Sequence, residues 1–306
     1  MARISVVHTT EYAYRNPVGL LNHRLMLRPD DSHDLRIHRA DLEIDPVPSA
    51  IRWKHDAFDN SICLVEWPAE LRTTRLHIVS TLDLTHHPDG PDLPVYSLDP
   101  GAERFPFSYT ADEIQDLSRL TERQMPDPQR TVDAWARRFV AGGDLSSTLR
   151  VMEAMTHAIK AEFLYGARHE EGTQTAAETI ALGTGTCRDF AVLMMEAVRS
   201  FGLAARFVTG YLYDDTSGTT RGGGSTHAWC GVYLPGAGWV EYDPTNGLVA
   251  GANLIRVGAT RSAAQALPIS GGFLGDRNDP LGMHVDVAVS AVPIAAHANG
   301  THMIRS

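Results

Sequence analysis

The chain is poor in cysteine, with three thiols in 306 residues and no CxxC pair. Three thiols cannot build a disulfide framework, so free cysteines in a reducing compartment are expected. Bases are also scarce, 27 Lys and Arg against 37 Asp and Glu, for a formal charge of −10. A nucleic acid or anionic membrane partner needs a basic face, so neither is expected. No apolar run approaches the ~20 residues of a membrane helix. The opening MARISVVHTTEYAYR lacks the apolar core of a signal peptide. A soluble, cytoplasmic protein is the expectation. No HExxH occurs, and GTGT and GGG lack the Lys-Ser/Thr that completes a phosphate loop. Asp214-Asp215 falls short of a calcium loop, and His86-His87 has no partners at metal spacing and reads as a solvated turn. Neither a metal nor a cofactor is expected.

What remains is an ordinary globular composition, 43% apolar and 21% charged. The periodicity divides it. Up to about residue 110 the chain reads as short strands. In RLHIVSTLDL, Leu76, Ile78, Leu82 and Leu84 alternate onto one face, and ADLEIDP, RWKHDAFDN and SICLVEW are broken by Pro, Asp and Asn. The Pro-rich HHPDGPDLPVYSLDP (86–100) reads as a linker. Beyond it, ADEIQDLSRLTERQ, PQRTVDAWARRFV and SSTLRVMEAMTHAIKAEFLY read as helices, the second with Pro at its start and the third with Ser at its cap. AARFVTGYLY, THAWCGVYLP, GWVEYDP and MHVDVAVSAVPI read as strands. Helices followed by strands, without βαβ alternation, predict an α+β fold. The expected divisions are a β-rich domain over 1–110, a catalytic domain over 111–295 and a flexible tail over 296–306.

One cysteine stands at a chemically special place. GTGTCRDFAVLMMEAVRSFG (183–202) puts Cys187 at the first turn of a helix whose Phe190, Leu193, Met194, Ala197, Val198 and Phe201 form an apolar stripe. Cys187 shares that face, Thr186 can cap the helix with Asp189, and Gly183 and Gly185 permit a tight approach. A helix N-terminus presents unpaired amides and the positive end of the dipole, and both favour thiolate. The same amides could hold an oxyanion. On this helix alone, a small buried hydrophobe fits equally well.

A base and an acid follow. THAWCGVYLPGAGWVEYDPTNG (226–247) reads as a hairpin with His227 opening one strand and Asp243 closing the other. Pairing Leu234 with Trp239 would put His227 and Asp243 on opposite faces. Pairing Leu234 with Gly238 sets Tyr233 against Trp239 and Trp229 against Asp243, so that His227 becomes a diagonal neighbour of Asp243. A triad therefore requires the second register or an equivalent bulge. Cys187 would attack an acyl carbon, His227 would carry the proton, and Asp243 would fix the imidazole tautomer.

These segments closely resemble the bacterial branch of the transglutaminase-like superfamily, the papain-like group with a Cys–His–Asp triad. The resemblance rests on GTGTCRDFAVLMMEAVRSFGLAARFVTGYL, STHAWCGVYLPGAGWVEYDPTNG and GTQTAAETIALG, and covers roughly 145–250. HTTEYAYRNPVGLLNHRLMLRP and DAFDN resemble the β-rich N-terminal region of that branch. The likeness implies a helix-borne cysteine packed on an antiparallel sheet, with Cys187, His227 and Asp243 as motif residues. It implies a cysteine peptidase or amidase, or an acyltransferase to amines, acting on a peptide or protein. It also implies a possible association with amide-forming ATP-dependent enzymes. SAAQA (262–266) stands where that branch usually has an Asp-Tyr pair. The alternative of another class is a peptide-binding or scaffold module that keeps the fold without turnover.

Other residues carry paired readings. Gln174 could cap a helix or support an oxyanion. Trp229 could shield the imidazole–carboxylate pair or simply pack the sheet. Arg188 could orient Asp189. Cys230 and Cys63 read as core. The loop Asp214–Ser225 could be a flap or a plain solvent loop.

Overall fold

A computed structural model describes residues 2–87, 97–140, 146–166, 172–213, 226–249 and 253–293. The β-rich half begins with a long strand β1 (Ala2–Leu20), followed by β2 (His23–Leu25), β3 (Leu35–Asp45), β4 (Ala50–His55), β5 (Ser61–Glu66) and β6 (Thr73–His86). In β6 the expected alternation holds: Leu76, Ile78, Leu82 and Leu84 are buried. β1 pairs antiparallel with β6, and β6 with β3, while β2, β5 and β4 form a second sheet. Val18, Leu76 and Ile78 of the first sheet pack on Leu25, Cys63 and Val65 of the second. Burial of each such aliphatic side chain contributes about 1.5–3 kcal/mol.

The remaining chain adds β7 (Arg104–Phe105), α1 (Ala111–Thr121), α2 (Thr131–Arg137), β8 (Ser146–Ser147), α3 (Thr148–Glu162), β9 (Leu164–Tyr165), α4 (Ala176–Leu182), β10 (Thr184–Gly185), α5 (Cys187–Ser200), β11 (Ala205–Leu212), β12 (Thr226–Leu234), β13 (Gly238–Asp243), β14 (Leu248–Val249) and β15 (Leu254–Thr260). The sheet order β14-β13-β12-β11-β15 is antiparallel throughout. α5 is buried on all sides from Asp189 to Arg199, as befits a helix enclosed by a sheet on one face and helices on the other. Glu196 and Arg199, buried in its second half, are matched. Glu196 accepts from Arg123 Nε at 2.8 Å and from Arg199 Nη1 at 3.2 Å, and Arg199 Nη2 donates to the carbonyls of Ala205 and Arg261. α2 begins at Thr131, and the Asp127 carboxylate, rather than the proline, accepts from its first amides. No helix among the described residues is long and apolar enough to cross a membrane.

The end of the chain departs from expectation. β16 (Ile269–Ser270), β17 (Phe273–Leu274) and β18 (Pro280–Pro293) pair with β2, β1 and β1. Residues 269–293, assigned by chain order to the catalytic domain, are thus part of the β-rich half. β18 runs alongside β1 from Ala2 to Tyr14 and covers an edge that would otherwise be open. The tail 296–306 lies outside the described residues, as does most of the proposed linker.

The halves share a core in which Ile4, Val6, Met26 and Leu82 meet Tyr211, Ile255 and Val257. Asn60 completes the junction. Its Nδ2 donates to Ala259 O at 2.9 Å and its Oδ1 accepts from Ala259 N at 2.8 Å, so one side chain pairs the edge of β15 as a neighbouring strand would.

Candidate active site

α4 ends at Gly183, whose φ of +66° is the left-handed conformation glycine adopts without strain. The next residues, Thr184–Gly185, run parallel to Leu164–Tyr165 and lead into α5. Gly185 is tightly enclosed, since a Cβ there would lie 2.9 Å from Asp189 Cβ and 3.1 Å from Phe190 Cε1. Thr186 caps α5 with the expected box: its N–H and hydroxyl both donate to Asp189 Oδ2 at 2.8 Å. The other oxygen, Oδ1, accepts from the backbone N–H of Gln174 at 2.7 Å. Asp189 is fully buried, and this set of donors offsets the cost of burying its carboxylate. Asp189 is therefore a cap, and it also ties the loop before α4 to the start of the cysteine helix. The side-chain Oε1 of Gln174 accepts from the Thr179 hydroxyl at 3.0 Å. Arg188 is exposed.

The hairpin takes the register that a triad requires. Leu234 pairs with Gly238, Tyr233 with Trp239 and Cys230 with Tyr242. His227 and Asp243 are buried at 1% and 0% exposure, and Nε2 lies 2.9 Å from Oδ2. Asp243 is held in turn. Its Oδ1 accepts from the backbone amides of Thr245 and Asn246, at 2.9 and 3.3 Å, and its Oδ2 accepts from Asn246 Nδ2 at 2.7 Å. Asn246 was not singled out from the sequence, although Asp-Pro-Thr-Asn is a recognisable Asx-turn string.

Burial works against a charged imidazole at His227. The charge and hydrogen bond of Asp243 outweigh it, with Cys187 acting in the same direction, and the ring is held well above its ordinary pKa. Burial likewise works against the Asp243 carboxylate, and the His227 charge with the Asn246 hydrogen bonds holds it below the usual range. With Nε2 committed to Asp243, Nδ1 is the nitrogen left for the thiol. Nδ1 makes no hydrogen bond of ordinary geometry to the described residues, while the Cys187 side chain acts on the ring in the same direction as Asp243. Catalytic hydrogen bonds are commonly poorly aligned before substrate arrives.

Trp229 lies beside the imidazole, ring centroids 6.0 Å apart and planes 28° from parallel. Its Nε1 donates to Glu241 Oε2 at 2.7 Å. Room for the indole comes from Gly210, which pairs with His227 across β11 and β12. A Cβ at Gly210 would lie 2.8 Å from Trp229 Cη2 and 1.9 Å from Ile255 O. Neither Glu241 nor Gly210 was picked out from the sequence. Cys230 and Cys63 are core residues, fully buried, with thiol pKa values pushed up by burial to about 12 and about 11. His86 is buried against Tyr213 rather than lying in a solvated turn. Among the described residues no group of three or more His, Cys, Asp or Glu is arranged to hold a metal. The loop Asp214–Ser225 lies outside the described residues. SAAQA forms a short 3-10 turn capped by Ser262 and Gln265, with Ala266 packed against the catalytic core.

With this geometry in place, comparison with known families is decisive. Residues 133–244 match the family described as the transglutaminase-like superfamily, and residues 4–84 match the bacterial transglutaminase-like N-terminal region. Residues 133–244 are thus a transglutaminase-like superfamily region. An uncharacterized Mycobacterium tuberculosis protein is 28% identical over 97% of this chain and 94% of its own length. An uncharacterized Mycobacterium leprae protein is 26% identical over 94% of this chain and 99% of its own length. Among solved structures, a candidate cysteine protease of Cytophaga hutchinsonii superposes with a TM-score of 0.64 at 19% identity, covering 100% of this chain and 95% of that one. The likeness extends across both halves and establishes the α+β, transglutaminase-like fold.

Proposed function

We propose that this chain is a cysteine-dependent acyl-group enzyme acting on peptide or side-chain amides, with Cys187, His227 and Asp243 as its triad. The observation that carries the reading is the fully buried 2.9 Å contact between His227 and Asp243, with Cys187 at the head of α5 acting on the same ring.

The thiol proton passes to His227 Nδ1 and the sulfur attacks the amide carbon. The negative charge that develops on oxygen is taken up by first-turn amides of α5, which have no partner within the helix. His227 returns its proton to the leaving nitrogen as the C–N bond breaks, leaving a thioester on Cys187. Water or an amine then attacks, gives a proton to the ring and releases the acid or the new amide as the C–S bond breaks, which restores the thiolate–imidazolium pair. Asp243 accepts from Nε2–H throughout, which fixes the tautomer and stabilises the imidazolium. Gln174, tied to Asp189 beside the nucleophile, is the assigned support residue of the oxyanion region, and Trp229 shields the imidazole. The substrate is a peptide or protein, and the enzyme works in the cytoplasm.

The test is incubation with amide-bearing peptides and a labelled primary amine. Free acid alone assigns a hydrolase and labelled product assigns an acyltransferase. Either product must vanish in Cys187→Ala. Turnover that survives that change refutes the reading, and absence of turnover across broad peptide mixtures favours a binding module.

A further inference from the structure

The β12–β13 hairpin repeats one geometric device. His227 reaches Asp243 diagonally across the strands, and two residues further on Trp229 reaches Glu241 in the same way. The first pair holds the imidazole. The second holds the ring that lies against it. We propose that Glu241 is a positioning residue for His227, acting through the Trp229 indole that it anchors. This rests on the triad reading above.

Three observations converge on Glu241. Its Oε2 is committed to the indole N–H at 2.7 Å. Its Oε1 accepts from Arg256 Nη1 at 2.8 Å and lies 3.7 Å from Arg206 Nη2, so arginines of β15 and β11 hold the carboxylate's other oxygen. Its cross-strand partner is Gly231, where a Cβ would press within 3.0 Å of Arg206 Cγ, so glycine leaves the space in which Arg206 lies over the Trp239 ring at 4.4 Å. The indole itself has no exposure and is braced by Val208, Leu212 and Leu254. A buried N–H must be satisfied, and the acceptor that satisfies it sets the rotation of the ring. That rotation decides whether the indole stays offset-stacked on His227 and keeps water from the His227–Asp243 contact. Water admitted there would screen the carboxylate, weaken the imidazolium and so weaken the thiolate it supports.

The measurement is the pH dependence of iodoacetamide alkylation at Cys187, read by mass spectrometry of its peptide in the full chain. It needs no knowledge of the natural substrate. The wild type is expected to react faster at neutral pH than a free thiol. In Glu241→Ala the inflection is expected to move about one pH unit to the alkaline side, a roughly tenfold loss of rate at neutral pH. Trp229→Phe keeps an aromatic ring and drops the N–H, and should shift the profile in the same direction by less. Val240→Ala destabilises the same strand from its other face and should lower the melting temperature while leaving the profile in place. If Glu241→Ala fails to fold, Trp229→Phe decides. Wild-type profiles in both variants, alongside an activated wild-type thiol, would overturn the role of Glu241 and leave the triad standing. A wild-type Cys187 that reacts only as an ordinary thiol would overturn the triad reading, and this inference with it.

Discussion

The β-rich half and the catalytic half each bury a histidine almost completely, and they hold it in opposite ways. His8 on β1 is 2% exposed, with Nδ1 at 3.1 Å from the Tyr211 hydroxyl and Nε2 at 3.2 Å from the Thr10 hydroxyl. Tyr211 donates to Leu27 O at 3.2 Å, so His8 donates from Nδ1 and accepts at Nε2, as a neutral ring must. Its partners are all neutral, and burial pushes its pKa down to about 4. His227 is as deeply buried, but one carboxylate at 2.9 Å reverses the sign. Depth alone therefore does not make a buried histidine a base. The opposed carboxylate does, and among the described residues His227 faces one where His8 faces only hydroxyls. Both rings lie close to β11, where Tyr211 follows Gly210, the residue paired with His227. His8 joins the halves through Tyr211, and His227 is paired with Asp243.

The largest test of this contrast is to remove the carboxylate. Asp243→Asn keeps the shape and should cost roughly a thousandfold or more in turnover, because the ring loses both its tautomer control and its counter-charge. The same substitution should lower the His227 pKa. Gly210→Ala comes next. A methyl group 1.9 Å from the Ile255 carbonyl cannot be accommodated without moving β15 or Trp229. A loss of at least about 3 kcal/mol in urea unfolding is expected. The third test separates the histidines by pH. Unfolded His8 takes up protons near 6.5 and folded His8 resists until about 4, so stability should fall by about 3 kcal/mol as pH drops through that window. His8→Gln should flatten that slope. The pair at His227 acts on the other side, its stabilisation present below 6.5 and lost as pH rises through its elevated pKa. The smallest expected effect is at the junction. Asn60→Ala leaves the N–H and C=O of Ala259 without their partner and should cost about 2 kcal/mol, with activity per folded molecule little changed.

The His227–Asp243 contact could be read from the sequence because strand parity is strict. Once Leu234 is set against Gly238, the faces of His227 and Asp243 follow, and a slip of one residue would separate them. The helix of Cys187 was equally legible, since its apolar stripe, cap and glycines all agree. Glu241 was within reach of the same argument, as the next diagonal along the hairpin from His227 and Asp243. Nothing local marks it, since a lone glutamate on a strand usually faces solvent. Asn246 had a turn signature but no chemical one. Gly210 could not be found at all, because the atoms that exclude a side chain there come from Trp229 and Ile255, distant in sequence. The pairing of β18 with β1 was hidden for the same reason: alternation marks a strand, but nothing local names its partner. Asn60 illustrates the point from the other side, since in DAFDN it is one of the Asp and Asn residues that break a run, and its job of clasping β15 appears only in three dimensions.

The most direct measurement of the central claim is the charge on the His227 ring in the folded chain, read from its ring-nitrogen shifts by NMR as pH is raised. The account predicts a doubly protonated imidazole well past pH 6.5 in the wild type, and a return towards ordinary titration in Asp243→Asn. A ring already neutral at pH 7 in the folded wild-type protein would contradict it.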